Sequence, residues 1–374
     1  NRLKHHLDLS GFTMRRVLKY GNTTGAYATA AAKAAVIALL DKPVDRVGIP
    51  SPLGIRFELF IRECKKLSED TAIAYAIKNA GEDIDVTDKI VISAEVKLTS
   101  TGRINIKGGK GVGVVTKGGL PVSVGEAAIN PTPRKMIEQA IREVLPKDKG
   151  VEVTISVPEG EIVAKKTQNK KLGIVGGISI LGTTGVVRPL SIKAYRSSLV
   201  PALEVALAQN YEQIFLVPGN IGEKLAKKVF AVPEDSIIQT GDFMGYMLEK
   251  AVEKGAEKIV IFGHPGKLVK LAAGIFNTHH KKGDARMEVI AAYAGVAGAN
   301  TELIQKIIES NTTEEAIKFL EPANLVEQTF DEIAEQVYSR TSEKIENKAE
   351  IKVIIVSIDG TILGTSKTAR SMIK

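Results

Sequence analysis

The residues best suited to proton chemistry stand together in one short run: Asn277-Thr278-His279-His280-Lys281-Lys282-Gly283-Asp284-Ala285-Arg286. A general acid or base needs a group that titrates near neutrality within hydrogen-bond reach of its target, and His279 or Asp284 could supply one after tuning. His279, Asp284 and Glu288 could also be read as metal ligands, but their spacing defines no tetrahedral set, so no resident metal is expected. A plain polar turn between two apolar helices is the competing reading of the same run. A second carboxylate group, Glu82-Asp83-Ile84-Asp85, offers Asp83 and Asp85 to orient a substrate group or accept a proton. A solvated turn explains such a cluster more commonly.

Three glycine-containing segments read as loops between a strand and a helix: Gly182-Thr183-Thr184-Gly185, Pro218-Gly219-Asn220-Ile221-Gly222 and Gly263-His264-Pro265-Gly266-Lys267. In an open α/β sheet, ligands bind beyond the carboxyl ends of the strands, where glycine admits close backbone approach and helix N-termini favour anions. None of the three is a P-loop, because Gly266-Lys267 runs into Leu268, and no segment reads G-x-G-x-x-G. A simple kinase or a standard dinucleotide dehydrogenase is thereby disfavoured. For any one loop, a tight turn competes evenly with a binding role. Gly108-Gly109-Lys110-Gly111-Val112-Gly113, continuing to Lys117, is glycine-rich enough to form a lid or wrap a ligand.

The elements that must position these residues change character along the chain. Up to about residue 168, helices and strands alternate irregularly: an Ala-rich helix from Ala26 to Leu40, β-rich runs, a helix over Thr71–Lys78 capped by Ser68, and an amphipathic helix over Arg134–Leu145. From about Gly173, short apolar runs are each followed by a helical pattern. The runs are Ile174–Leu181, Gln213–Val217, Ser236–Gln239 and Lys258–Phe262. Three more helices are expected between Arg286 and Tyr338, then a hairpin around Asp359-Gly360. The expected fold is an α+β N-terminal lobe, 1–168, with a glycine-rich loop, joined to an α/β Rossmann-like lobe, 169–374, with a mostly parallel sheet.

The 374 residues carry a formal charge of +8, a surplus that suits an anionic ligand. With no Trp and no basic tail, nucleic-acid binding is not expected. The single cysteine, Cys64, cannot make an intrachain disulfide or a thiolate cage, which fits a reducing, cytoplasmic setting. No apolar stretch reaches the length of a membrane span, and residues 1–10 read as a frayed leader without a signal-peptide core.

Several segments carry a resemblance. Gly111-Val112-Gly113-Val114-Val115-Thr116-Lys117, Gly125-Glu126-Ala127-Ala128-Ile129-Asn130-Pro131 and Leu172-Gly173-Ile174-Val175-Gly176-Gly177-Ile178 through Gly185 are similar to the CbiD family. So are Thr23-Thr24-Gly25, Asp83 to Thr87, Pro218-Gly219-Asn220 and Gly263 through Glu288, in order along nearly the whole chain. The resemblance implies S-adenosylmethionine-dependent methylation of C-1 of cobalt-precorrin-5B in anaerobic cobalamin biosynthesis. S-adenosylmethionine would be the methyl donor, and cobalt would belong to the substrate alone. The expected donor site is Gly219, Asn220, Gly222, Gly263, His264 and Gly266. The corrinoid, expected between the lobes, would meet Thr23, Thr24, Lys110, Lys117, Thr183, Thr184 and Arg286, with Arg134 among the cations facing its carboxylates. His279 or Asp284 would handle a ring proton. Other enzymes of the pathway are conceivable partners, and a non-catalytic corrinoid carrier or scaffold is the alternative. The family pattern would place an aromatic residue where Asn22 stands, a cysteine at Tyr27, a histidine at Asp88 and an acidic residue at Arg188. A cysteine nucleophile at position 27 is thereby excluded.

Overall fold

The computed structural model describes residues 18–373; the expected leader, 1–10, lies outside them. Contacts divide the chain into two units. The first holds residues up to Val114, then Glu126–Thr167 and Val175–Ser191; the second holds Val115–Gly125, Gln168–Ile174 and everything from Ile192. The chain therefore passes between the units at several points, of which the junction at 167/168 is one.

In the first unit the helix Thr24–Leu40 starts where the Thr23 hydroxyl accepts from the Ala26 N–H at 3.3 Å. Its alanines are buried on nearly every side, so the helix has no wide solvent face. It packs on Thr71–Ile77 and Val91–Thr99, whose inward residues Ala72, Ala74, Ala76 and Ala94 are fully buried. Small side chains on both partners bring backbone close to backbone. The sheet runs Glu63–Lys66, Thr71–Ile77, Val91–Thr99, Gly150–Ser156, Ile104–Gly108. Its pairings are antiparallel except the parallel one between Gly150–Ser156 and Ile104–Gly108.

The expected helix over Thr71–Lys78 is therefore a strand. Alanine favours helix locally, but here every second residue is an alanine facing the core, and that period of two decides the outcome. The expected lid is also packed structure. Gly111–Val112 pairs in parallel with Gly177–Ile178, and Val112 is buried. Gly111 has φ +73°, and a Cβ there would lie 1.9 Å from the Val157 carbonyl oxygen, so glycine is needed for close approach. The run expected as one strand, Ile174–Leu181, is broken into Ile174–Val175 and Gly177–Ile178. Gly182–Gly185 leads not into a helix but into Val186–Val187, which pairs with Gly21–Asn22.

The second unit has a five-stranded sheet in the order Ile237–Gln239, Ile214–Val217, Lys258–Gly263, Glu350–Val356, Ile362–Thr365. The first four strands are parallel and the last is antiparallel, closing the hairpin around Asp359-Gly360. Ile214, Leu216, Ile259 and Ile261 belong to one core, while Phe215, Val217, Val260 and Phe262 belong to the other. Each strand is buried on both faces, which is why the runs read as continuously apolar. Four helices follow the 277–286 run where three were expected: Arg286–Val296, Thr301–Glu309, Thr313–Leu320 and Val326–Lys344. No helix among the described residues is long and apolar enough to cross a membrane.

Candidate functional site

Adjacent parallel strands Ile214–Val217 and Lys258–Gly263 end at two of the glycine loops. After the first, Gly219 takes φ +92° with open space where a side chain would be, and the helix Asn220–Val229 begins without a side-chain cap. Its first N–H groups are left for other acceptors. After the second, His264 caps the helix Pro265–Ala272, its Nδ1 accepting from the Gly266 N–H at 3.1 Å. That bond leaves the proton of a neutral ring on Nε2, which lies 2.5 Å from Glu314 Oε1. Burial pushes the His264 pKa below its ordinary value, against the pull of Glu314, so the ring is neutral at pH 7.

Between these loops lies a cleft of about 530 Å³, lined by Pro218, Asn220, Ile221 and Gly222 from the first loop and by His264, Gly266, Lys267, Arg286 and Thr312–Glu314. Its volume falls in the range of roughly 300–1,000 Å³ typical of small-molecule sites. Of the expected donor-site residues, Asn220, Gly222, His264 and Gly266 line it, and Gly219 and Gly263 shape its loops. Arg286, expected to meet the corrinoid, lines the same cleft.

The 277–286 connection is fastened to the helix Pro265–Ala272 by two lysines. Lys267 Nζ lies 2.7 Å from Asp242 Oδ1 and 3.3 Å from the Thr278 carbonyl. Lys270 is only 3% exposed, and its Nζ donates to the carbonyls of Gly283 (3.0 Å) and Thr278 (3.4 Å). Asp284 Oδ1 is 4.0 Å from that ammonium, and burial lowers the Lys270 pKa. Asp284 grips Arg286 through two bonds, Nε to Oδ1 at 2.8 Å and Nη2 to Oδ2 at 2.7 Å. Arg286 brings the Asp284 carboxyl down to about 2, so it is anionic at neutral pH and holds the guanidinium in place. His279 accepts from the Lys281 N–H at Nδ1 (3.2 Å) and stacks on His280 with ring centroids 4.4 Å apart.

The remaining expected residues lie elsewhere. In the first unit, residues 23–24 and 179–185 meet: Thr24 Oγ1 accepts from the Leu181 N–H at 2.9 Å, and the Thr23 N–H donates to Gly185 O at 3.1 Å. Thr23 and Thr24 are buried; Thr184 hydrogen-bonds with Val186, and Thr183 is exposed. Lys110 is exposed, whereas Lys117 in the second unit is tied to Asp235 at 2.5 Å. Arg134 donates to the carbonyls of Ile129 and Ile106. Asp83 accepts from the Leu190 N–H, and Asp85 holds the buried Lys78 at 2.7 Å as well as Thr87. Tyr27 is buried, which raises its phenol pKa, and Asp88 accepts from the Ala80 N–H at 2.8 Å. Asn22 donates to Gly185 O, and Arg188 is exposed.

Sequence reasoning missed Glu314. Thr312-Thr313-Glu314-Glu315 reads as a helix start, and the Thr312 hydroxyl does cap Glu315 at 3.1 Å, but nothing local tells that Glu314 turns toward a loop fifty residues earlier. Among the described residues, no group of three or more His, Cys, Asp or Glu is placed to hold a metal ion.

Comparison with known proteins covers most of the chain. The CbiD family model matches residues 12–189, and the model of the CbiD C-terminal domain matches residues 277–367. Cobalt-precorrin-5B C(1)-methyltransferase of Methanocaldococcus jannaschii is 47% identical over 356 residues, 95% of this chain and 98% of that one. The protein of the same name from Methanobrevibacter smithii is 45% identical over 348 residues, covering 92% and 96%. A crystal structure of the cobalamin biosynthesis protein cbiD from Archaeoglobus fulgidus is 34% identical, with a TM-score of 0.39, over 72% of this chain and 84% of that one. With identity approaching half along almost the full length of both chains, this chain belongs to the CbiD family.

Proposed function

We infer that this chain is a cobalt-precorrin-5B C(1)-methyltransferase that takes its methyl group from S-adenosylmethionine. The observation that carries the reading of the site is the cleft at the carboxyl ends of two adjacent parallel strands, built from the Gly219 and Gly263–Gly266 loops. This is where a Rossmann-like lobe holds a nucleotide-bearing ligand. The residues fit such a donor: open backbone at Gly219, uncapped N–H groups at the start of the Asn220–Val229 helix, and a lining that combines apolar Pro218 and Ile221 with charged side chains.

When bound, S-adenosylmethionine supplies an electrophilic methyl on a positively charged sulfur. The new C–C bond draws its electron pair from C-1 of the macrocycle, and the C–S pair leaves with sulfur. The protein's task is mainly to align the two reactants. Asp284 fixes Arg286, and Lys267 and Lys270 fix the connection that bears both His279 and Asp284. His279 is the group we assign to a ring proton, since the Asp284 carboxyl, brought down to about 2, is a poor proton acceptor near neutral pH. Lys110 is exposed and is assigned to a substrate carboxylate, and Thr23, Thr24, Thr183 and Thr184 form the neighbourhood in the first unit assigned to the corrinoid.

Calorimetric titration of S-adenosylmethionine into the purified protein, with and without the corrinoid precursor, tests the reading. Saturable binding that the corrinoid strengthens is expected. Absence of binding under both conditions would move the chain to the corrinoid-carrier alternative.

A further inference from the structure

We propose that the cleft reads the zwitterionic amino-acid end of its ligand, with Arg286 receiving the α-carboxylate and Glu314 the α-ammonium. The inference rests on the cleft being the methyl-donor site and adds which side chains select that donor. It is carried by two opposite charges on the walls of one cavity.

Arg286 spends Nε and Nη2 on Asp284, and Nη1 has no hydrogen-bond partner among the described residues. The guanidinium is thus held in one plane before a ligand arrives, so little side-chain entropy is lost when an incoming carboxylate takes the remaining edge. Lys267, the other cation of the cleft, is already occupied by Asp242 and the Thr278 carbonyl. Arg286 is therefore the better placed anion reader.

Glu314 faces the same cavity. Its only ion-pair contact among the described residues is His264, and the lowered pKa of that ring leaves it neutral at pH 7. No lysine or arginine there lies within ion-pair distance of Glu314, and its Oε2 meets only the adjacent Thr313 hydroxyl at 3.2 Å. Glu314 is half-buried, and it and Arg286 feel each other's charge without an ion-pair contact, so each is left with hydrogen-bonding capacity for a ligand group of opposite sign. A purely anionic ligand would be opposed by Glu314 and a purely cationic one by Arg286, so a group bearing both charges is the one the pair selects. The rest of the ligand would then lie along Pro218 and Ile221, the latter a lining residue 54% exposed.

The test compares two thioethers that differ only in the amino-acid end. S-adenosylhomocysteine and 5′-methylthioadenosine are titrated calorimetrically into the full chain and into Arg286→Met, Glu314→Gln and Ile221→Asp variants. We expect the wild type to prefer S-adenosylhomocysteine by about tenfold or more, and each charge variant to lose about tenfold in that affinity while 5′-methylthioadenosine stays within about twofold. Retained 5′-methylthioadenosine binding also serves as the control for folding. Ile221→Asp should weaken both ligands alike. Charge variants that weaken both ligands equally, or neither, would overturn the amino-acid assignment and leave the donor site standing. Failure of the wild type to bind either thioether, or indifference of both to Ile221→Asp, would overturn the donor site and the assignment together.

Discussion

Glu223 is nearly buried, with 8% of its side chain exposed, yet it is ionised. Burial favours the neutral acid, but hydrogen bonds from Lys171, Lys227 and Gln239 outweigh it and bring the carboxyl to about 2. The folded value lies below the ordinary 4.5, so the stabilisation is fully present above that pH and is lost as pH falls toward 2. With solvent screening of the partly exposed ion pairs, it should be worth on the order of 1–2 kcal/mol. Thermal melts between pH 6 and 3 should show a falling Tm, and Glu223→Gln should flatten that fall; parallel curves for variant and wild type would contradict the assignment. A second residue-scale prediction separates the two groups of the 277–286 run. Asp284→Asn should raise the KM for S-adenosylmethionine by about tenfold, since it loosens Arg286, whereas His279→Ala should lower kcat. An unchanged KM in the first variant, or an unchanged kcat in the second, would remove the corresponding role. Residue types and spacing drew attention to the 277–286 run and to the His264 loop, and the structure places His264 and Arg286 on the lining of one cleft. Types and spacing could not pair His264 with Glu314 or bury Lys270 under the loop carbonyls, because those relations exist only after the helices pack.

Among the elements, alternation was the more reliable sign and local propensity the weaker one. The parallel strands around Phe215 and Val260 were legible because both of their faces are buried, and the terminal hairpin because Asp359-Gly360 sets its turn. Thr71–Ile77 was misread because its alanines favour helix in isolation, while the neighbouring Ala-rich helix demands small residues on a strand. Gly111 was misread as flexibility, although its backbone is wedged against Val157. Gly111→Ala should therefore destabilise the fold by on the order of 1–3 kcal/mol, through the positive φ and the collision together. An unchanged denaturant midpoint would contradict the close-packing account.

For the whole molecule, an excess of eight positive charges matches a substrate rich in carboxylates but could not have named it. No linker of distinctive composition marks where segments 115–125 and 175–191 change unit, so the sequence carries no sign of these crossings. Similarity to the Methanocaldococcus jannaschii methyltransferase extends over 95% of the chain, so catalysis is a property to be tested on the whole protein. The most direct measurement incubates the purified chain with cobalt-precorrin-5B and S-adenosylmethionine carrying a carbon-13 methyl group. The product is then examined by NMR. Label at C-1 of the corrinoid, with S-adenosylhomocysteine formed in equal amount, is the expected result. A corrinoid that binds but is recovered unmethylated, with the donor intact, would contradict the account.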